Sequence, residues 1–337
     1  MRRPSGKMPG MDSENVSRNF SIAKVISIVI VFTGHFFPGM SLWVPTTIAL
    51  FVFGFSSGFF TAAKYSTNFS MRKFWLRKIE RLAYNLLIIN LFLFILFWAS
   101  QKEGLFSWST VVSLFGLTGF LNWFKIPEIS PFGDGLWFFT AMLIFYAVYP
   151  LISFINRSKA RAFVFILLSA IALTILHFTV PVGHMLWITA IAFILGPFLY
   201  TYRIRLSPIV AFTITISSII IMLVLNFWFK VKFFNYFLIL LTSIGCVVFL
   251  LIYALPNILH RLLIFSGCIL EIYFISPYLT LRISGVRILL NYFISLVLTV
   301  SVALLLSYLA TKLQKLILSY NYKCKVAPKL GLEETHR

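Results

Sequence analysis

The chain has 337 residues, of which 60% are hydrophobic, 18% aromatic and only 11% charged, with a mean hydropathy of +0.94. That balance excludes an ordinary soluble domain, and the long, repeated apolar runs predict an all-α, polytopic transmembrane helical bundle. The formal net charge of +20 would suggest nucleic acid in a soluble protein, but most basic residues lie between apolar runs, where topology accounts for them.

The predicted elements begin with a polar, basic tail over residues 1–18. The first apolar run, NFSIAKVISIVIVFTGHFFPG, follows from Asn19 to Gly39. It is too long, and too closely followed by others, for a cleaved signal peptide. Its span covers about 20–38, with Pro38 and Gly39 ending it. Further spans are expected at about 43–63, from the basic segment Lys64 to Arg81 on to Trp98, and at about 134–155, 162–179, 184–202, 207–228, 234–255, 262–281 and 286–309. The piece around 111–120 is too short to cross and reads as an interfacial or re-entrant helix. This makes about ten spans, a membrane domain over 19–311 and a basic tail over 312–337.

Charge orients the bundle. With both termini cytoplasmic, 22 Lys and Arg fall on inner segments and 6 on outer ones, with Lys24 set apart inside the first span. Cys246, Cys268 and Cys324 stand singly, without metal or redox spacing, so no metal site is expected.

Four stretches carry side chains that lipid alone does not explain. The first pairs Lys24 with His35, eleven residues apart, on nearly the same helix face and about 16 Å apart along the axis. Lys24 can snorkel to headgroups; His35, inside a span, is expected to face a cavity or partner and to titrate near neutral pH. The second is GFSSGFF, Gly54 to Phe60. Its small residues suit close helix packing, and a smooth polar seam through Ser57 and Gly58 also suits a thin acyl chain.

The third is MRKFWLRKIERLAY, Met71 to Tyr84, which brings Arg77, Lys78 and Arg81 toward one face. It reads either as positive-inside anchoring or as a cradle for a phosphorylated donor. The fourth is GDGLWFFTAMLIFYAVYP, with Asp134 and Trp137 at its outer start and Pro150 at its end. Asp134 is placed on the same side as His35, and Trp137 reads as a boundary anchor. Of the later residues, His177 and His184 read as outer-surface histidines, whereas Glu271, a lone carboxylate near the middle of a span, needs solvent, a proton or a cationic partner.

These stretches, in this order, resemble the integral-membrane acyltransferase 3 family. Lys24 and His35 match its basic residue and histidine in the first span, Ser57-Gly58-Phe59 its second-span segment, and Lys78-Ile79-Glu80-Arg81 its paired basic motif. Leu136-Trp137-Phe138 with Tyr146 and Tyr149-Pro150 matches its tryptophan-led entry and tyrosine-proline exit. The chain departs from the pattern at Ser21, where an aspartate is usual, at Lys78 in place of an arginine, at 82–84, which lack a proline, at Ile269 in place of a serine, and at Ser276 in place of a late histidine.

The resemblance implies a multi-pass O-acyltransferase of the bacterial cytoplasmic membrane. It would take an acyl group, commonly acetyl, from acyl-coenzyme A and give it to a hydroxyl of a surface glycan, lipid-linked glycan or related envelope acceptor, with envelope-synthesis proteins as further partners. His35 and Asp134 are then the expected catalytic residues, Lys24, Lys78 and Arg81 the donor-binding ones, and Ser57, Gly58, Trp137 and Glu271 the lining of the substrate path. A transporter of polysaccharide or lipid-linked glycan, using the same polar interior without acyl transfer, is the alternative from another class.

Overall fold

The computed structural model describes residues 13–38, 42–65, 69–133, 136–180, 184–204 and 207–330. They form the helices α1 (Ser13–Phe36), α2 (Trp43–Tyr65), α3 (Met71–Ala99), α4 (Trp108–Leu114), α5 (Thr118–Trp123), α6 (Trp137–Ile155), α7 (Lys159–Thr179), α8 (His184–Tyr202), α9 (Pro208–Phe227) and α10 (Asn235–Ile252). A 3₁₀ helix (Asn257–Gly267), α11 (Ile269–Ile275) and α12 (Ile288–Leu330) complete the chain. Among the described residues nine helices are long and apolar enough to cross a membrane, and ten if the 3₁₀ helix and α11, bent by 65°, count as one span.

The ninth expected span is therefore not a plain helix over 262–281. It starts earlier, behind Pro256, and breaks at Cys268, directly after Ser266 and Gly267, two residues that do little to continue a helix. The mixed region after α3 holds two short helices, of seven and six residues. The last helix runs on through Leu330, well past the expected end near 309.

The bundle is built around α2. Of its most apolar stretch 72% is buried, against 17% for α3, 11% for α9 and 6% for α7, whose Leu, Ile, Val and Phe side chains face outward. Such faces suit hydrocarbon, and the chain is a multi-pass membrane protein.

Backbone closeness between α2 and α8 follows from three glycines. A Cβ at Gly58 would run into the Phe193 carbonyl oxygen, one at Gly54 would come to 2.8 Å from the Thr189 carbonyl, and one at Gly196 to 2.5 Å from the Phe59 nitrogen. Small residues let two backbones approach where lipid offers no hydrophobic drive between helices.

On the other side of α2, α1 packs through Phe20, stacked on Phe55 with ring centroids 5.7 Å apart. Asn19, 2% exposed, ties α1 to the end of α10. Its amide donates to the carbonyls of Leu250 at 2.9 Å and Tyr253 at 2.6 Å, and its oxygen accepts from the Leu255 nitrogen at 3.2 Å. The C-terminal carbonyls of a helix need such partners when they are buried. Asn19→Ala is accordingly expected to cost about 1–3 kcal/mol of stability, read as a lowered unfolding midpoint of the detergent-solubilised protein.

Candidate functional site

One face of α1 supplies Lys24, Ile28, Val31 and His35, steps of four, three and four residues that keep the side chains in a row. A matching row on α2 runs through Trp43, Thr46, Leu50, Phe53, Ser57, Thr61 and Lys64. The two rows, with the start of α3, part of α6 and the broken span, enclose two cavities end to end.

The larger cavity, about 450 Å³, lies at the end of the bundle where α1 and α3 begin and α2 ends. Five basic side chains line it: Lys24, Lys64, Arg77, Lys78 and Arg81. Among the described residues its walls include no carboxylate.

Lys78 is held in place by its neighbours. Its Nζ lies 3.3 Å from the Thr61 hydroxyl, to which it donates, and 3.6 Å from the centroid of the Tyr146 ring, a close cation–π contact. The Tyr146 hydroxyl is in turn hydrogen-bonded to Ser57. Arg81 stands within electrostatic reach of both Lys24 and Lys78. Like charges gathered this closely repel one another, so the arrangement favours a bound anion.

Asn85, one turn beyond Arg81, also lines this cavity and donates to Glu271 Oε1 at 2.8 Å. Glu271 is fully buried in the first turn of α11, behind the wall, and its Oε2 has no hydrogen-bond partner among the described residues. The bent span thus sets a carboxyl one residue away from the cationic hollow.

The smaller cavity, about 280 Å³, lies at the opposite end of the same face, where α1 ends and α2, α6 and α8 begin. His35 and Trp137 line it together, with Thr46 and Trp43.

The helix end that carries His35 is clamped from the loop between α11 and α12 and from the start of α12. Arg282 donates to the Phe36 carbonyl at 2.9 Å and lies over the Phe36 ring. The Tyr292 hydroxyl is 2.9 Å from that of Thr33, and its ring packs among Phe32, Phe36 and Phe37. A guanidinium on a free C-terminal carbonyl also complements the helix dipole.

The structure thus brings Lys24, Lys78, Arg81 and Ser57 into one cavity and His35 and Trp137 into the other. Glu271 stands behind the first. Gly58 faces α8 rather than either cavity, so of the two readings of its stretch the packing one describes it. Asp134 lies outside the described residues, as does the side chain of His184. His177 packs on the Tyr236 ring with centroids 4.1 Å apart, remote from both cavities in the contacts it makes. Ser276, where the family pattern has a histidine, is fully buried and donates to the Tyr273 carbonyl at 3.2 Å.

Sequence reasoning passed over Asn85, Lys64, Thr61 and Arg282 as site residues. Asn85 and Thr61 were readable by continuing the helical rows from Arg81 and Ser57. Arg282 had no signal, because its partner is a backbone carbonyl 246 residues away in sequence.

One face of α1 thus leads from a cationic hollow to a histidine hollow within a membrane bundle. Residues 18–312 match the family model described as an acyltransferase domain, and the chain belongs to the acyltransferase 3 family. It is an acyltransferase that moves groups other than aminoacyl groups. No curated protein and no solved structure matches it significantly.

Proposed function

We propose that the enzyme takes an acyl group, acetyl in the simplest case, from acyl-coenzyme A at the cationic cavity and delivers it to a hydroxyl of a surface glycan or related envelope acceptor at the His35 cavity. The observation that carries this reading is the continuous face of α1, with the basic cavity at Lys24 and the histidine cavity at His35. The distribution of 22 inner and 6 outer basic residues supports cytoplasmic termini and a cytoplasmic donor side, and membership of the family favours a bacterial cytoplasmic membrane as the setting.

Lys24, Lys78 and Arg81 hold the donor's phosphates, with Lys64 and Arg77 lining the same cavity. The pantetheine arm follows the polar seam of Ser57 and Thr61. At the far end His35 removes the proton of the acceptor hydroxyl as its oxygen attacks the thioester carbonyl. The C–S bond breaks, the new C–O bond remains, and the thiolate leaves as coenzyme A after taking a proton. Trp137 offers an aromatic wall for the acceptor, and Asp134 is assigned the orientation of His35 or of the acceptor hydroxyl. Glu271 fixes Asn85 at the donor cavity.

The test is transfer of labelled acetyl from acetyl-coenzyme A to envelope glycans in membranes holding the wild-type protein or Lys78→Ala/Arg81→Ala at equal abundance. Losing two charge-assisted contacts is expected to raise the donor KM at least about tenfold. An unchanged donor KM would remove the cationic cavity from the mechanism.

A further inference from the structure

Four side chains line both cavities: Val31, Leu50, Phe138 and Tyr273. Each is buried, at 4%, 3%, 8% and 7% exposure, and all belong to one apolar cluster. They stand where the two cavities adjoin, so an acyl group passing from the cationic cavity to His35 would have to pass between them.

The four are not equally free to move. Val31 is β-branched and sits in a helix, where one rotamer dominates. Phe138 is wedged between the rings of Phe53, Trp137 and Tyr273, with centroids 5.9, 6.0 and 5.8 Å away. The Tyr273 hydroxyl is hydrogen-bonded to the backbone at Phe138 and Phe139, which fastens α11 to the start of α6. Leu50 alone has neither a branched Cβ nor a hydrogen bond nor a ring stack to fix it, and it borders a cavity on each side into which a change of rotamer could carry it.

We propose that Leu50 is the moving part of a cross-section filter which decides what acyl group reaches His35. Turning Leu50 aside opens a slot one alkyl chain wide against the fixed surfaces of Val31, Phe138 and Tyr273. Acetyl and narrow straight chains pass. A group branched next to the carbonyl, such as isobutyryl, meets the side chains of Val31, Phe138 and Tyr273. The filter rests on the donor reading given above, since it presumes that the acyl group enters from the cationic cavity.

The test uses the full chain in lipid nanodiscs, with acetyl- and isobutyryl-coenzyme A as donors, an envelope glycan fraction as acceptor, and released thiol and labelled glycan as readouts. Thermal stabilisation by coenzyme A is measured alongside. Leu50→Ala is expected to raise the isobutyryl-to-acetyl transfer ratio at least about tenfold, the order that one branch is worth in a fitted apolar site. Val31→Ala, a smaller truncation, shifts the ratio in the same direction and stands in where Leu50→Ala does not fold. Leu50→Phe is expected to lose transfer of both groups while coenzyme A still stabilises it as it does the wild type.

An unchanged ratio in the alanine variants, or a Leu50→Phe protein that still transfers acetyl, overturns the filter and leaves the donor site standing. A wild-type protein that coenzyme A does not stabilise and that releases no thiol overturns the donor reading itself, and the filter with it.

Discussion

Membranes carrying His35→Ala at wild-type abundance are expected to lose transfer of label from acyl-coenzyme A to envelope glycans by about 10²- to 10⁴-fold, the usual contribution of a positioned general base. Stabilisation by coenzyme A should persist, because the proposed phosphate-binding residues Lys24, Lys78 and Arg81 line the other cavity and not that of His35. The combination is diagnostic: a variant that loses both properties has lost the bundle rather than the base. Undiminished transfer would take His35 out of the chemistry and turn attention to other groups at that end of the path. The clamp of Arg282 on the Phe36 carbonyl and of Tyr292 on Thr33 holds the imidazole's helix end steady, and proton transfer of this kind depends on such placement.

Gly58→Leu is expected to be more damaging to the protein than any substitution in the cavities. The added side chain would start inside the Phe193 carbonyl oxygen and 2.8 Å from the Pro197 ring, with backbone rather than a flexible tip in the way. Either α2 and α8 separate or the chain fails to assemble; overpacking of a tight core commonly costs about 1–3 kcal/mol, and a clash with backbone costs more. The measurement is the yield of monodisperse protein in mild detergent, with the unfolding midpoint of whatever survives. Ser57→Ala, next in sequence but facing the cavity, should leave that yield unchanged. Near-normal assembly of Gly58→Leu would mean that the α2–α8 seam is not what holds the centre together.

Much of this layout was legible in the sequence, for physical reasons that differ by element. The spacing of Lys24 and His35 fixed a shared face because an α-helix has one period, and the rows on α1 and α2 follow from it. The basic entry to α3 was visible as a cluster, and its role as cavity wall depended on which way the helix turned, which the packing of α3 on α11 and α12 decides. The break at Cys268 was less visible, since hydropathy measures apolar character and not helix continuity, and the whole stretch 257–275 is apolar enough to pass as one rod. Gly58 showed the opposite difficulty: one motif served two purposes, and only the approach of α8 separated the packing glycine from the cavity-facing Ser57. Leu50 carried no signal at all, because a leucine in a membrane helix is the commonest thing to find there.

The walls of the cationic cavity belong to two differently anchored parts of the bundle. Lys24 and Lys64 ride on α1 and α2, which pack on each other at the centre, whereas Arg77, Lys78 and Arg81 ride on α3, which faces mostly outward and leans on α11 and α12. Empty, the cavity sets like charges against each other across that division. A polyanion lodged between them would reverse the sign of the force and staple the edge helix to the centre. The donor would then act as a structural ligand as well as a reactant: its arrival would stiffen the entrance, and a coenzyme A product that keeps the same phosphates would hold the entrance closed until it dissociates.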